Sequence, residues 1–277
     1  MGAARWWPAV AALGSVLWAG GGETRGAPSY SGAGIVNAAS NAPGPLAPNA
    51  IASLYGKELA FSTRALADRD IRLNQLPTEL DGVRVLVGGL AAPLYYVSPS
   101  QINFLVPYIL GARFPTEVSL VVARHGIAGP QVRFTLEEAA PALFQLDAET
   151  PIVTTVRKEG DTNKVAVISK DEPAQPEEWI TLWATGLGRT EPSIDWPYLP
   201  AQAFRIANWR RFQVLLDGAP ISADRIQYVG VAPGFGGLYQ VNLRLPDDIE
   251  GRPEIRIAVG EAISPPGLRL PVRKPPR

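Results

Sequence analysis

A chain of 277 residues with 46% hydrophobic residues can bury two ordinary cores, since domains commonly run about 100 to 150 residues. Lys+Arg and Asp+Glu balance at 26 each, which excludes a one-signed field that would draw the protein onto nucleic acid or an anionic membrane. The complete lack of cysteine excludes disulfide staples, thiolate metal sites, a Cys nucleophile and a lipid-modified Cys, while 27 Gly and 27 Pro suit short strands joined by turns.

Residues 1–27 read as an export signal: Arg5 precedes the uncharged run "WWPAVAALGSVLWA" (Trp6 to Ala19), and Ala19 and Gly21 are small residues two apart. The run is shorter than the roughly 20 residues of a spanning helix. An uncleaved anchor is the alternative. Beyond residue 27 no comparable apolar run follows, so no membrane span is expected after signal removal, and the chain is expected to be secreted or held in the cell envelope.

Next come short runs with period-2 alternation, such as Val83, Val85 and Val87 against Arg84 and Leu86. A Gly88-Gly89 turn follows, then "LYYV", a Ser/Pro turn, and "QINFLVP" from Gln101 to Pro107. The same order returns later: "FQVLL", an Asp217-Gly218 turn, "IQYV", a Gly/Pro turn and "QVNLRLP" from Gln240 to Pro246. Upstream, "IASLYGKEL" (Ile51 to Leu59) matches "WITLWATGLG" (Trp179 to Gly188), with Gly56 set against Gly186. The offset between the two matches differs by about ten residues, an insertion that loops absorb at low cost. The chain therefore reads as an internal duplication, with one unit over 28–145 and a second over 146–277. Each is expected to fold as an all-β immunoglobulin-like sandwich with few, short helices. The polar segment from about Phe144 to Glu178 links them, and its hairpin "TTVRKEGDTNKVAVIS" is a candidate pair of opening strands for the second unit.

Alternation places Ile102, Phe104 and Val106 on one strand face, and Gln101, Asn103 and Leu105 on the other. In the second copy Val241, Leu243 and Leu245 oppose Gln240, Asn242 and Arg244. The amides can tie the preceding turn to the sheet, and Pro107 and Pro246, lacking an N–H, can end the ladder. A ligand-binding role for the amides is the competing reading.

"GIVNAASNAPGPLAPNAIASLYGKELA" (Gly34 to Ala60) and "VRVLVGGLAAPLYYVSPSQINFLVP", with "LWATGLG", "APGFGGLYQVNLRLP" and "GRPEIRIAVG" later, resemble an uncharacterised module of secreted proteins from Solibacter-type acidobacteria. Its pattern is similar to the IPT/TIG group of immunoglobulin-like domains. The resemblance spans roughly residues 34 to 272 and implies an exported, tandem Ig-like protein with no catalytic residue to carry over.

Catalytic chemistry has few candidates. The one histidine, His125, precedes Gly126 in an expected hairpin turn, with no Gly-x-Ser-x-Gly elbow to accompany it. Acid pairs occur at Asp68/Asp70, Glu137/Glu138, Glu177/Glu178 and in "DDIEG", all in turns or strand flanks. "DDIEG" lacks the ligand spacing of an EF-hand loop. "PGFGG" (Pro233 to Gly237) lacks the Lys and Ser/Thr of a phosphate loop and is expected to be a flexible turn. "NWRRF" is the nearest approach to a basic-aromatic stripe, too little for nucleic acid. The aromatic excursion "SIDWPYLPAQAFRIANW" carries Trp196, Tyr198, Phe204 and Trp209; it forms a ligand platform, folds over the open end of its own sandwich, or pads the contact between units.

The expectation is a non-catalytic binding or adhesion module for a cell-surface polysaccharide or an envelope partner protein, requiring no cofactor. A structural spacer assembling through sheet edges is the alternative, and a carboxylate-based glycoside hydrolase a third.

Overall fold

The computed structural model describes residues 26–109, 111–194 and 197–273. The export signal expected over residues 1–27 lies outside them up to position 25, as does Trp196. Strands of four residues or more are numbered here in chain order. The first seven are β1 (Ser29–Asn37), β2 (Ile51–Lys57), β3 (Val83–Val87), β4 (Leu94–Val97), β5 (Gln101–Leu105), β6 (Thr116–Arg124) and β7 (Val132–Leu136). One sheet has the order β1-β2-β5-β4, with Arg64–Ala65 beyond β4; the other has β7-β6-β3, with Leu90–Ala91 beyond β3. Their inward residues, including Leu54, Val85, Ile102, Phe104 and Val122, form one buried core.

The second seven are β8 (Val153–Glu159), β9 (Thr162–Val167), β10 (Trp179–Thr185), β11 (Phe212–Leu216), β12 (Ile226–Val231), β13 (Tyr239–Arg244) and β14 (Ile255–Val259). The larger sheet runs β9-β8-β10-β13-β12 and continues through Arg205–Ile206 to Thr190–Glu191; the smaller pairs β11 with β14. Ile180, Leu182, Val214, Val241, Leu243 and Ile257 fill the core between them. The chain is thus all-β, built from antiparallel immunoglobulin-like sandwiches, and the helical elements among the described residues are three-residue 3-10 turns. The β8–β9 hairpin pairs with β10, and the short strand Ala142–Leu143, on the amino-terminal side of the 145/146 boundary, pairs with β10 too.

Turn chemistry explains the repeated hairpins. Gly88-Gly89, His125-Gly126 and Asp217-Gly218 each connect strands with positive φ at both central residues, the geometry that matches strand twist in a two-residue loop. The duplication extends to irregularities: β4 bulges between Leu94 and Tyr96 against β5, and β12 bulges between Ile226 and Tyr228 against β13. Tyr96 and Tyr228 thereby fall opposite Asn103 and Asn242. Each ladder makes one bond beyond the strand, Val106 N–H to Ala50 O at 2.9 Å and Leu245 N–H to Glu178 O at 3.0 Å, and stops at Pro107 and Pro246. The register also revises one match. Ser53 and Thr181 both lie opposite the motif Asn, which aligns the positive-φ Gly186 with the positive-φ Glu58 and not with Gly56.

The two sandwiches share a third apolar cluster, in which Ile51, Leu76, Tyr95 and Leu105 of the first meet Leu199 of the second together with Ala142 and Phe144, which precede the 145/146 boundary but run beside β10. Here the expectation of a flexible "PGFGG" turn is corrected. Tyr95 Oη donates to Gly236 O at 2.7 Å, and Thr185 Oγ1 donates to Gly237 O at 2.7 Å while accepting the Ile51 N–H at 2.8 Å. The turn is a seated contact because glycines let backbone approach this closely.

An ion-paired corner holds β8 to the start of β10. Glu178 accepts two hydrogen bonds from Arg157, at 2.8 and 3.1 Å, one from the Gln175 N–H at 2.7 Å and one from Thr155 Oγ1 at 3.0 Å. Burial, the largest single influence, pushes the carboxyl up, but these bonds together hold it below its ordinary value. A depressed folded pKa gives stability that is present above the ordinary value and lost as pH falls through the folded one. Glu178→Gln should therefore flatten the acid limb of stability below about pH 4.5, measured as the urea midpoint against pH. At neutral pH the same substitution should cost about 1–2 kcal/mol, a figure reduced by partial solvent screening.

Candidate ligand-binding face

The outward surface of the second unit's larger sheet can be read in rows across its strands. Trp179 lies opposite Arg244, Thr181 opposite Asn242, and Trp183 opposite Gln240. On the other side of β13, Tyr228 faces Asn242 and Gly230 faces Gln240, with Arg205 next to Gly230. On the far side of β10, Thr154 faces Thr181 and Val156 pairs with Val165. Inward neighbours such as Leu182, Val241 and Leu243 are buried, so period 2 sends this set to the opposite face.

The face ends differently at its two sides. Trp183 packs toward the junction between units, its Nε1 donating to Thr154 Oγ1 at 3.0 Å. Trp179 is 49% exposed beside the exposed Val156 and Val165. Tyr228 lies along the strand, and its hydroxyl donates toward Phe204 O and Val231 O, both at 2.9 Å. A Cβ at Gly230 would collide with that hydroxyl and with Phe204 O, so glycine is what lets the ring lie flat. Burial pushes the Tyr228 phenol up to about 12, keeping it a neutral hydrogen-bonding group at physiological pH. Arg205 stacks between two rings, its Cζ 5.8 Å from the Tyr228 centroid and 5.4 Å from that of Trp209. Arg210 covers Trp209 at 4.5 Å.

The two motif amides have opposite environments. Asn103 is 5% exposed, and its Oδ1 accepts from Ser53 Oγ at 2.9 Å and Gln101 Nε2 at 2.8 Å. These side chains tie β5 to β2 and to each other; the preceding turn is held instead by Ser98 Oγ, which accepts the Gln101 N–H at 2.9 Å. In the second copy Asn242 Oδ1 accepts from Thr181 Oγ1 at 3.1 Å, and both Gln240 and Asn242 remain partly exposed. One copy is closed and the other open.

The three described aromatic residues of the excursion are separated. Tyr198 forms a strand-like bridge with Gln75 of the first unit, and Asn74 and Leu199 exchange hydrogen bonds at 2.9 Å through Asn74 O and Nδ2. Phe204 packs partly against the second core. Trp209, 38% exposed, is the member that joins the outward face, and Trp196 lies outside the described residues. Trp179, Tyr228, Arg205 and Arg210 were not marked as site residues by the sequence. The alternation Trp179-Thr181-Trp183 was readable, but which parity faces solvent depends on the core.

Other chemistry is sparse. Among the described residues no group of three or more His, Cys, Asp or Glu is placed to hold a metal ion. His125 sits on its hairpin turn, stacked on Phe61 at 5.1 Å. An open cleft of about 270 Å³ is lined by Glu137, Glu138, Arg211 and Glu261. Glu138 and Glu261 are exposed, and an acid–base pair needs an environment that separates its two carboxyls.

No protein-family model matches the chain, and no curated protein matches it by sequence. Among solved structures, it is similar to SGBP-B from a Bacteroides ovatus mixed-linkage glucan utilization locus, in complex with a mixed-linkage heptasaccharide. The two share 14% identity at a TM-score of 0.30, over 83% of this chain and 43% of that one. SGBP-B from a Bacteroides uniformis xyloglucan utilization locus shares 11% identity at a TM-score of 0.23, over 88% and 49% of the two chains. The tandem Ig repeats of Dlar share 12% at 0.20, over 90% and 99%. The chain spans under half the length of the first two, and likenesses this distant carry no argument here.

Proposed function

We propose that this protein is an exported, non-catalytic binding module whose outward β8-β10-β13-β12 face holds a polysaccharide chain. The observation that carries the reading is the placement of Trp179 and Trp209, each half-exposed, at either side of a row of partly exposed amides and hydroxyls, Gln240, Asn242, Thr181 and Tyr228. Aromatic faces accept the C–H faces of sugar rings, and amides offer a donor and an acceptor to neighbouring hydroxyls. The strand spacing and rise put Trp179 and Arg205 roughly 20 Å apart along the diagonal, a span suited to an extended chain and not to a single small molecule. Among the described residues no helix is long and apolar enough to cross a membrane. The resemblance to secreted acidobacterial modules and the amino-terminal segment support export.

Assembly through sheet edges is the weaker reading. The edge strand β9 carries Lys164 paired with Glu159 at 2.9 Å, and charge on an edge opposes strand addition. The test is depletion of the purified chain from solution by insoluble polysaccharides, with Trp179→Ala and Trp209→Ala run alongside. Each variant should bind roughly 10- to 30-fold more weakly at unchanged melting temperature. Full retention of binding by both variants, or no depletion by any polysaccharide, would remove the reading.

A further inference from the structure

The arginines around this face divide into two kinds. Arg244 is held by Glu177, and Arg225 by Glu177 at 2.7 Å with Asp247 at 3.8 Å. Arg211 turns into the cleft that Glu137, Glu138 and Glu261 line. Arg205 and Arg210 are different: both are exposed, both lie against the Trp209 ring, and neither takes part in an ion pair among the described residues. The acid opposite Arg205 in register is the exposed Glu191, which makes no such pair. Arg205 spends one donor on Gln227 O at 2.8 Å and retains the others.

Two like charges gathered on one ring repel each other unless an anion lies between or above them. A guanidinium on an aromatic face is oriented and partly desolvated while its donor edge stays free. That edge matches a carboxylate, which accepts two parallel N–H bonds. Asn242 and Gln240 continue the same face with neutral donors and acceptors beside the Tyr228 ring. From this juxtaposition we infer that the ligand is an acidic polysaccharide, one whose sugar units carry uronate carboxylates, with Arg205 and Arg210, both held against Trp209, binding a carboxylate through their free donor edges. The inference rests on the polysaccharide reading above and specifies the class of chain.

Polygalacturonate and the same polymer after chemical reduction of its carboxyls to primary alcohols differ only at C6, a carboxylate in one and a CH2OH in the other, so affinity electrophoresis on both isolates the carboxylate. The unmodified protein should bind polygalacturonate at least tenfold more tightly, with the preference shrinking as salt rises. Arg205→Gln/Arg210→Gln should abolish the preference. Arg210→Gln alone, which removes no hydrogen bond seen in the structure, should reduce it without disturbing the fold. Equal affinity of the unmodified protein for both polymers, with Trp179→Ala still weakening each, would overturn the acidic specificity and leave the polysaccharide site standing. A preference that survives the double substitution would overturn the role of the two arginines. Retention by neither polymer, nor by any neutral polysaccharide, would end both this inference and the reading beneath it.

Discussion

Gly237→Val should turn a single cooperative melt into two. Gly237 has φ +70°, and a Cβ there would lie 2.8 Å from Asn49 O and 2.9 Å from Ile51 Cγ1. A β-branched residue is strained at this φ before it meets any neighbour. The neighbours it meets belong to the first unit, while its own carbonyl is held by Thr185 in the relay that ends on the Ile51 N–H. Strain and overpacking together should cost about 3–5 kcal/mol, concentrated in the junction and not in either core. With the shared Ile51–Leu105–Phe144 cluster opened, each sandwich retains its own buried interior and should unfold separately. Gly234→Val is the control: it lies in the same turn at φ +80°, with nothing within 4 Å of its Cβ, and should lower stability by the backbone strain alone. Calorimetry decides, and a single transition in Gly237→Val at the control's temperature would show that the turn does not couple the units.

This junction explains why part of the molecule was unreadable from the sequence. Hairpins at Gly88-Gly89, His125-Gly126 and Asp217-Gly218 could be read because positive φ at consecutive positions demands a short list of residues. The duplication could be read because inward alternation repeats. Leu105 and Arg244, however, occupy equivalent outward positions with opposite character, and neither pattern nor propensity says that one faces a partner sandwich and the other solvent. The excursion from Ser193 to Trp209 left its role open for the same reason: a loop that pads the contact between units reads like one that faces solvent, and here the backbone of Pro197 and Leu199 bonds to Leu76 and Asn74 of the first unit. Its four aromatic residues fit either a platform or padding, and tertiary pairing distributes the described three among a junction, a core flank and a surface. The proposed binding face draws instead on five segments far apart in the chain, which share a surface only once the register of β10, β13 and β12 is set.

The two copies of the Gln-x-Asn motif should respond oppositely to the same substitution. Asn103→Ala removes an acceptor that serves both Ser53 Oγ and the partly exposed Gln101 Nε2 at a site almost closed to water, and leaves the buried Ser53 hydroxyl unpaired in low dielectric. The penalty for stranding buried polar groups exceeds the net worth of the bonds lost, so the cost should be about 2–4 kcal/mol of folding stability, read from urea unfolding. Binding by the folded fraction should be unchanged, because this amide faces no ligand surface. Asn242→Ala removes one bond from Thr181 at a position water can reach, where solvent replaces the missing partner, and should cost under about 1 kcal/mol. Its effect should appear in polysaccharide affinity, as a loss of roughly three- to tenfold. If Asn242→Ala leaves affinity intact while destabilising the fold as much as Asn103→Ala, the second motif is structural like the first, and the ligand does not cross β13. A stability loss confined to the first copy, with an affinity loss confined to the second, would mean that one duplicated strand kept its amide for holding the sheet while the other turned it outward for recognition.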